Sequence, residues 1–332
     1  MLTVVTGASG FLGGVLVRTL LGEGRRVRCV DLQQGPALEG LDIEWMTADV
    51  LDRRSLDAAL EGAETVFHLA AVISVTGDPT GQVWAVNVDG VRNVAEAALA
   101  AGVCRLVHCS SVHAYDLEAT ESVTEQSSRA VAVDLPVYDR SKAAGEAALR
   151  EVIDRGLDAV IVNPTGVFGP YDFAPSRMGG VLLAMFQRRL PAVIDGGFDW
   201  VDVRDVATAM QAAESAGRTG ENYLLPGHHV SLAGLAAIAA DIAGHKRRLI
   251  TLPMWFARIW GPLADVASRR RSGPLWYTSE SLHALRFDPA VAGAKAASEL
   301  NHRPRAIEET IADTHAWFTE QGFLGGANPA SR

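Results

Sequence analysis

Thr6-Gly7-Ala8-Ser9-Gly10-Phe11-Leu12-Gly13 is the stretch on which the reading of this 332-residue chain turns. The apolar run Leu2–Thr6 precedes it and the apolar-periodic stretch Phe11–Leu21 follows, so it reads as a strand-to-helix turn. Glycine allows the backbone to turn tightly and to come close to a ligand. The exposed N–H groups and the dipole at a helix start can hold a phosphate or pyrophosphate. The spacing is GxxGxxG, which puts one more residue in the turn than the GxGxxG dinucleotide fingerprint. A glycine turn of structural use alone is the other reading, and the rest of the chain decides between them.

Outward from this turn the first half alternates short apolar runs with longer helical patterns. Leu2–Thr6, Arg26–Asp31, Ile43–Ala48, Thr65–Ala70, Arg105–Ser110 and Ala159–Asn163 read as strands. Phe11–Leu21, Arg53–Leu60, Gly81–Ala101 and Val137–Arg155 read as helices. Repeated β-α-β implies an α/β fold with a Rossmann-type doubly wound parallel sheet that binds ligands beyond the carboxyl ends of its strands. After Pro164 the texture shifts to Gly, Pro and aromatic residues. Short strand candidates Ala192–Asp195 and Asn222–Leu225 are mixed there with helical patterns at Met178–Arg188, Val203–Ala216, Leu232–Ala243, Ser279–Leu285 and Ile307–Gln321. The expected organisation is a nucleotide-binding domain over 1–164, a smaller mixed α/β substrate-binding lobe over 165–322 and a disordered tail over 323–332. Later segments can fold back onto the first domain.

Asp31 ends the second strand 18 residues after Gly13, close to where an acidic residue accepts hydrogen bonds from an adenosine ribose. A carboxylate there repels a 2′-phosphate, so NAD is expected over NADP; Arg28, on the opposite face of the strand, is the residue that weighs against this. Asp49 is either an adenine contact or a helix N-terminal carboxylate. Ala70 and Ala71 end the fourth strand with side chains small enough for a cofactor to lie on the backbone. Tyr138 and Lys142 stand four residues apart on a probable helix and so share one face. An ammonium beside a phenol favours its ionised form, and a phenol lowered from about 10 can give and take a proton.

Together these residues resemble the extended short-chain dehydrogenase/reductase superfamily. The resemblance runs through Gly7/Gly10/Gly13, Asp31, Asp49, His68-Leu69-Ala70-Ala71, Val86-Asn87-Val88-Asp89-Gly90, Ser110-Ser111, Tyr138/Lys142, Asn163 to Pro170, Trp200 to Ala207 and Lys295 to Arg305. It is most similar to the dihydroflavonol-reductase-like and 3β-hydroxysteroid-dehydrogenase-like branch. The resemblance implies that Tyr138 exchanges a proton with the substrate oxygen, that Lys142 supports the phenolate and the nicotinamide ribose, and that Ser111, with Ser110 as the alternative, holds the carbonyl oxygen. It also implies a cofactor cradle of Gly7, Ser9, Gly10, Phe11, Leu12, Gly13, Asp31, Asp49, Val50, Leu69, Ala70, Ala71, Asn87, Pro164 and Val167. A homodimer through the helices around 81–101 and 137–155 follows by analogy.

Departures narrow the subclass. Sugar-nucleotide dehydratases carry an acidic pair after the catalytic Ser/Thr, where this chain has Val112-His113. Epimerases of nucleotide sugars often place a diphosphate-binding arginine ahead of the Trp200–Ala207 motif, where this chain has Gly196-Gly197-Phe198-Asp199. A less charged substrate is expected. Val75, His113, Phe168, Tyr171, Phe173, Met178, Phe198 and Trp255 are candidates for an apolar cleft, each with core packing as its alternative.

A hydrophobic content of 48% supports a large core, and a net charge of −9 speaks against nucleic acid as the partner. Cys29, Cys104 and Cys109 all lie in apolar stretches that read as buried strands, which fits a reducing compartment. No metal site is expected. With its first strand at Leu2 and no apolar run near the ~20 residues of a membrane span, the chain is expected to be cytoplasmic. Within Leu252–Ala267 a lid or core helix is favoured over a membrane-surface anchor. The expected function is an NAD(P)-dependent oxidoreductase acting on a carbonyl or secondary alcohol of a mostly apolar small molecule. An NAD-retaining sugar-nucleotide epimerase and a non-catalytic NAD-binding regulator are the alternatives.

Overall fold

In the computed structural model, residues 2–74, 77–190, 192–245, 249–253 and 289–324 are described. The candidates Val75 and Trp255, the helical patterns at Ser279–Leu285 and most of Leu252–Ala267, and most of the tail lie outside them. The first half folds as β1 (Leu2–Thr6), α1 (Phe11–Gly22), β2 (Arg26–Asp31), β3 (Glu44–Thr47), α2 (Arg53–Leu60), β4 (Thr65–His68), α3 (Gln82–Trp84), α4 (Val91–Ala100), β5 (Arg105–Cys109), β6 (Ser122–Val123), α5 (Val137–Ile153) and β7 (Ala159–Pro164). Seven parallel strands form one sheet in the order β11-β7-β5-β4-β1-β2-β3, where β11 is Asn222–Leu225. The order reverses between β1 and β4, so the crevice for a ligand opens there.

Both faces of the sheet are buried, and alternate residues show why. Val5, Phe67, Val107 and Val162 pack toward α1 and α7 (Val203–Ala216), whereas Val4, Val66, Leu106 and Ile161 pack toward α2, α4 and α5. Near-continuous apolar strands are what a doubly covered parallel sheet requires.

Two elements differ from the sequence pattern for physical reasons. β4 stops at His68 rather than Ala70, because the chain must turn under Gly7: a Cβ on Gly7 would stand 2.6 Å from the Ala70 backbone nitrogen. The helix read over Gly81–Ala101 carries a π-helical turn at Ala85–Gly90 that aims Asn87 inward.

β11, counted from sequence with the second lobe, pairs with β7 in the main sheet, Asn222 opposite Ile161 and Leu225 opposite Pro164. The segment from Lys295 to Arg305 fastens this return: Lys295 Nζ donates to Glu221 Oε2 at 2.6 Å and to the Asn222 carbonyl at 2.7 Å, and Arg305 Nη2 donates to Asp205 Oδ1 at 2.8 Å. The smaller lobe holds β8 (Gly166–Phe168), β10 (Gly197–Asp202) and β12 (His228–Ser231) as a three-stranded sheet, with β9 (Ala192–Ile194) paired to β13 (Ile250–Leu252). Its core forms between α6 (Arg177–Phe186), α8 (Leu232–Ile242) and the helix Ile307–Glu320. Among the described residues no helix is long and apolar enough to cross a membrane.

Candidate active site

The turn after β1 is built for close approach. Gly7 has φ +69°, and a Cβ at Gly13 would fall 2.2 Å from the Gly7 carbonyl oxygen, so α1 can begin here only with glycine. Gly10, at the start of α1, supplies no side-chain cap, and the first turn carries no carboxylate. Its N–H groups therefore suit an anion. Asp31 closes the far side: its Oδ2 accepts from Ser9 N at 3.1 Å and its Oδ1 from Leu32 N at 2.8 Å, which holds the carboxylate at the strand end. Arg28 is engaged elsewhere, donating to Glu44 Oε1 at 2.7 Å and to the carbonyls of Ala59 and Glu61 at 2.9 Å. The side that would receive a 2′-phosphate is thus without that guanidinium, and the residues present fit NAD.

A cavity of about 520 Å³ runs from Gly7, Gly10, Phe11, Leu12 and Gly13 past Leu69 and Ala71 to Ser111, Tyr138 and Lys142, with Pro164 and Val167 on its wall. Ser9, Asp31, Asp49, Val50 and Ala70 lie outside it. Asp49 Oδ1 accepts from Leu51 N at 2.9 Å, while the cap of α2 is Asp52, so the helix N-terminal role read for Asp49 belongs to Asp52. Val50 is buried in the core and fills the space beside Gly90.

Asn87 was expected in the cradle, but it serves the scaffold. Its Oδ1 accepts from Val72 N at 2.9 Å, and its Nδ2 donates to the Val72 carbonyl at 2.9 Å and to Ser141 Oγ at 3.0 Å. The side chain joins the loop after β4 to α5 and is spent on that task.

α5 starts after Pro136 and brings Tyr138 and Lys142 to one face. Burial pushes the Tyr138 phenol above its ordinary value, and the neighbouring Ser111 hydroxyl offsets only part of that. The expected lowering by Lys142 is not seen in this arrangement, because the ammonium lies 5.9 Å from the Tyr138 ring centre and donates to the Cys109 carbonyl at 3.4 Å. Burial pushes Lys142 down, against the pull of Cys109 and Glu146.

Ser111 is held from both ends. Its Oγ accepts from His113 N at 3.2 Å, and its carbonyl accepts from Asn163 Nδ2 at 2.9 Å. Asn163 also donates to Glu146 Oε1 at 2.7 Å, and Glu146 Oε2 receives Asn222 Nδ2 and Arg129 Nη1, each at 2.9 Å. Sequence reasoning missed Glu146, although it continues the Tyr138/Lys142 face at the next i+4 step.

Of the substrate candidates, His113, Met178 and Phe198 line the cavity. Phe168 is 1% exposed and packs edge-on against Trp200 in the core. Tyr171 and Phe173 turn toward Trp317 instead, with ring centres 6.4 and 5.1 Å from it. Aromatic residues after Pro164 thus divide between cavity and core, which their spacing does not reveal. The wall also has Leu117, Leu135, Val181 and Leu190, which the sequence did not flag. α6 delivers Met178 and Val181: Asp172 Oδ2 accepts from Ser176 N at 2.7 Å, and Ser176 Oγ caps the helix by accepting from Gly179 N at 3.1 Å. Among the described residues no group of metal ligands assembles.

Residues 3–225 match the model of the NAD dependent epimerase/dehydratase family. The chain belongs to that family. Among curated relatives, sterol demethylase protein B of Methylococcus capsulatus is 34% identical over 98% of this chain and 100% of its own length. A putative dihydroflavonol 4-reductase of Synechocystis sp. is 31% identical over 96% of this chain and 95% of its own. The crystal structure of gox2253 superposes with a TM-score of 0.84 at 30% identity, covering 97% of this chain and 99% of that one. The chain is thus an NAD(P)-dependent enzyme of the extended short-chain dehydrogenase/reductase type.

Proposed function

We propose that this protein interconverts a secondary alcohol and a carbonyl on a mostly apolar small molecule with NAD as hydride carrier. One observation carries the reading: the hydroxyls of Ser111 and Tyr138, with Lys142, converge in a cavity whose outer wall is Leu117, Leu135, Met178, Val181, Leu190 and Phe198. The lining is mostly apolar, with Glu118 and Arg177 among its few charged groups, and favours apolar surface.

NAD, when bound, would supply the hydride chemistry. The chain's own residues do the rest. Gly7 to Gly13 and Asp31 orient the dinucleotide from both ends. Ser111 already accepts the His113 N–H, so its own proton is free to be directed at an oxygen in the cavity. Tyr138, kept as a neutral phenol by burial, gives its proton to a carbonyl oxygen in reduction and becomes a phenolate; oxidation is the reverse, the phenolate taking the proton of the hydroxyl. Lys142 supplies the positive charge on that face of α5.

The test is incubation of the purified protein with NAD or NADH and panels of cyclic ketones, secondary alcohols and sugar nucleotides, following absorbance at 340 nm and product stereochemistry. Net cofactor turnover with the apolar compounds is the expected result. Inversion of a sugar nucleotide without absorbance change would assign a cofactor-retaining epimerase. NAD binding without any turnover would assign a regulator, a reading that intact Ser111, Tyr138 and Lys142 oppose.

A further inference from the structure

His113 is a second proton-handling group on the cavity floor, and nothing in the hydride-transfer chemistry uses it. It follows Ser111 by two residues, and its ring meets the Tyr138 ring edge-on with centres 5.8 Å apart. Phe198 stacks on its other side at 5.7 Å and 15°, so the ring is clamped. Nδ1 faces Asp139 Oδ1 at 3.2 Å, and Asp139 is 8% exposed in the first turn of α5. His113 lines the cavity, and among the described residues no group is bonded to Nε2. Nδ1 makes no aligned hydrogen bond in this structure, but a carboxylate within ion-pair distance of one ring nitrogen, with the ring lining a ligand cavity, is the arrangement that orients an imidazole as a base.

We propose that His113, positioned by Asp139, is an acid/base for the carbon next to the substrate carbonyl, so that the site catalyses keto–enol exchange as well as hydride transfer. This rests on the alcohol–carbonyl reading above. With the carbonyl oxygen at Ser111 and Tyr138, the neighbouring carbon lies on the His113 side. His113 Nε2 takes a proton from it: the C–H bond breaks, an N–H bond forms, and the C–H electron pair becomes the carbon–carbon double bond of an enolate. The negative charge on oxygen is held by the Ser111 hydroxyl and by Tyr138 as a neutral donor. Return of the proton from Nε2 restores the ketone with no change in oxidation state.

The experiment uses the full chain with NAD in deuterium oxide and trans-2-decalone as probe, reading deuterium at the α-carbons by mass spectrometry. NADH-dependent reduction of the same ketone is followed at 340 nm. Enzyme-dependent exchange about tenfold or more above buffer is expected, and His113→Gln should lower the ratio of exchange to reduction by about 10²-fold. Asp139→Asn should lower that ratio and Asp139→Glu restore part of it, with an NAD-induced rise in Tm confirming that each variant is folded. Reduction without exchange, or exchange that survives in a folded His113→Gln protein, overturns the proposal while leaving the oxidoreductase reading intact. Exchange without reduction supports the acid/base pair and overturns the redox reading. A probe that is neither reduced nor exchanged counts against both.

Discussion

In the proposed reaction Tyr138 acts beside Ser111, which follows β5, and Lys142, one helical turn on, in a cavity whose wall keeps the phenol neutral. Tyr138→Phe should cut turnover by roughly 10²- to 10⁴-fold while leaving NAD affinity nearly unchanged, measured by 340 nm assay and by NAD titration of intrinsic fluorescence. Lost NAD binding together with a disturbed near-UV spectrum would make the tyrosine structural. Asp31→Ala should shrink the preference for NAD over NADP by roughly 10- to 150-fold, the loss of a hydrogen bond to a charged group, and an unaltered ratio of kcat/KM values would defeat the assignment. These residues were legible because each sits in a short local pattern, a turn, a strand end or an i,i+4 pair. Asn87 went to the scaffold rather than the cradle, and Phe168 took its core alternative, for one shared reason: whether a side chain faces the cavity or the scaffold depends on the element packed over it, here Ser141 on α5 for Asn87 and Trp200 on β10 for Phe168.

Two helices set the cavity, and each rests on a close contact that can be probed. α5 lies against the π-helical turn so tightly that a Cβ at Gly145 would stand 2.2 Å from the Asn87 carbonyl oxygen. Gly145→Ala should therefore destabilise by about 1–3 kcal/mol despite its better helix propensity, read as a lower urea midpoint at unchanged slope. α6 begins over Asp172, which is 1% exposed and has an unpartnered Oδ1. Burial raises its carboxyl from 3.8 to about 6, against the lowering effect of its bonds to Ser176. The folded state thus holds this proton more tightly than the unfolded chain. The associated stability is fully present below pH 3.8 and is lost as pH rises through about 6. Asp172→Asn keeps an acceptor for Ser176 N, so it should stabilise by about 3 kcal/mol at pH 8 and by almost nothing near pH 4. Equal effects at both pH values would refute this. Helix existence was legible from periodicity, but these contacts were not, because a glycine inside a helix gives no sign of which backbone approaches it.

At the scale of the molecule, the β-α-β rhythm was enough to give the parallel sheet and its crevice, since β1 to β2, β3 to β4, β4 to β5 and β5 to β7 are each joined through a helix. The seventh strand was harder to place: Asn222–Leu225 reads the same in either lobe, and only its pairing with Ile161 to Pro164 puts it at the sheet edge. That late return has a consequence for the chain as it is made. β7 is buried along its whole length in the finished protein, yet during synthesis its outer edge stays bare while about sixty further residues are added. At ~5–20 residues per second this lasts roughly 3–12 s, ample time for an unpaired apolar edge to find another nascent chain. A chain stopped after Thr219 should pellet where the full-length protein stays in solution. On the polysome, the half-built sheet is therefore expected to bind a holdase chaperone until β11 closes its edge.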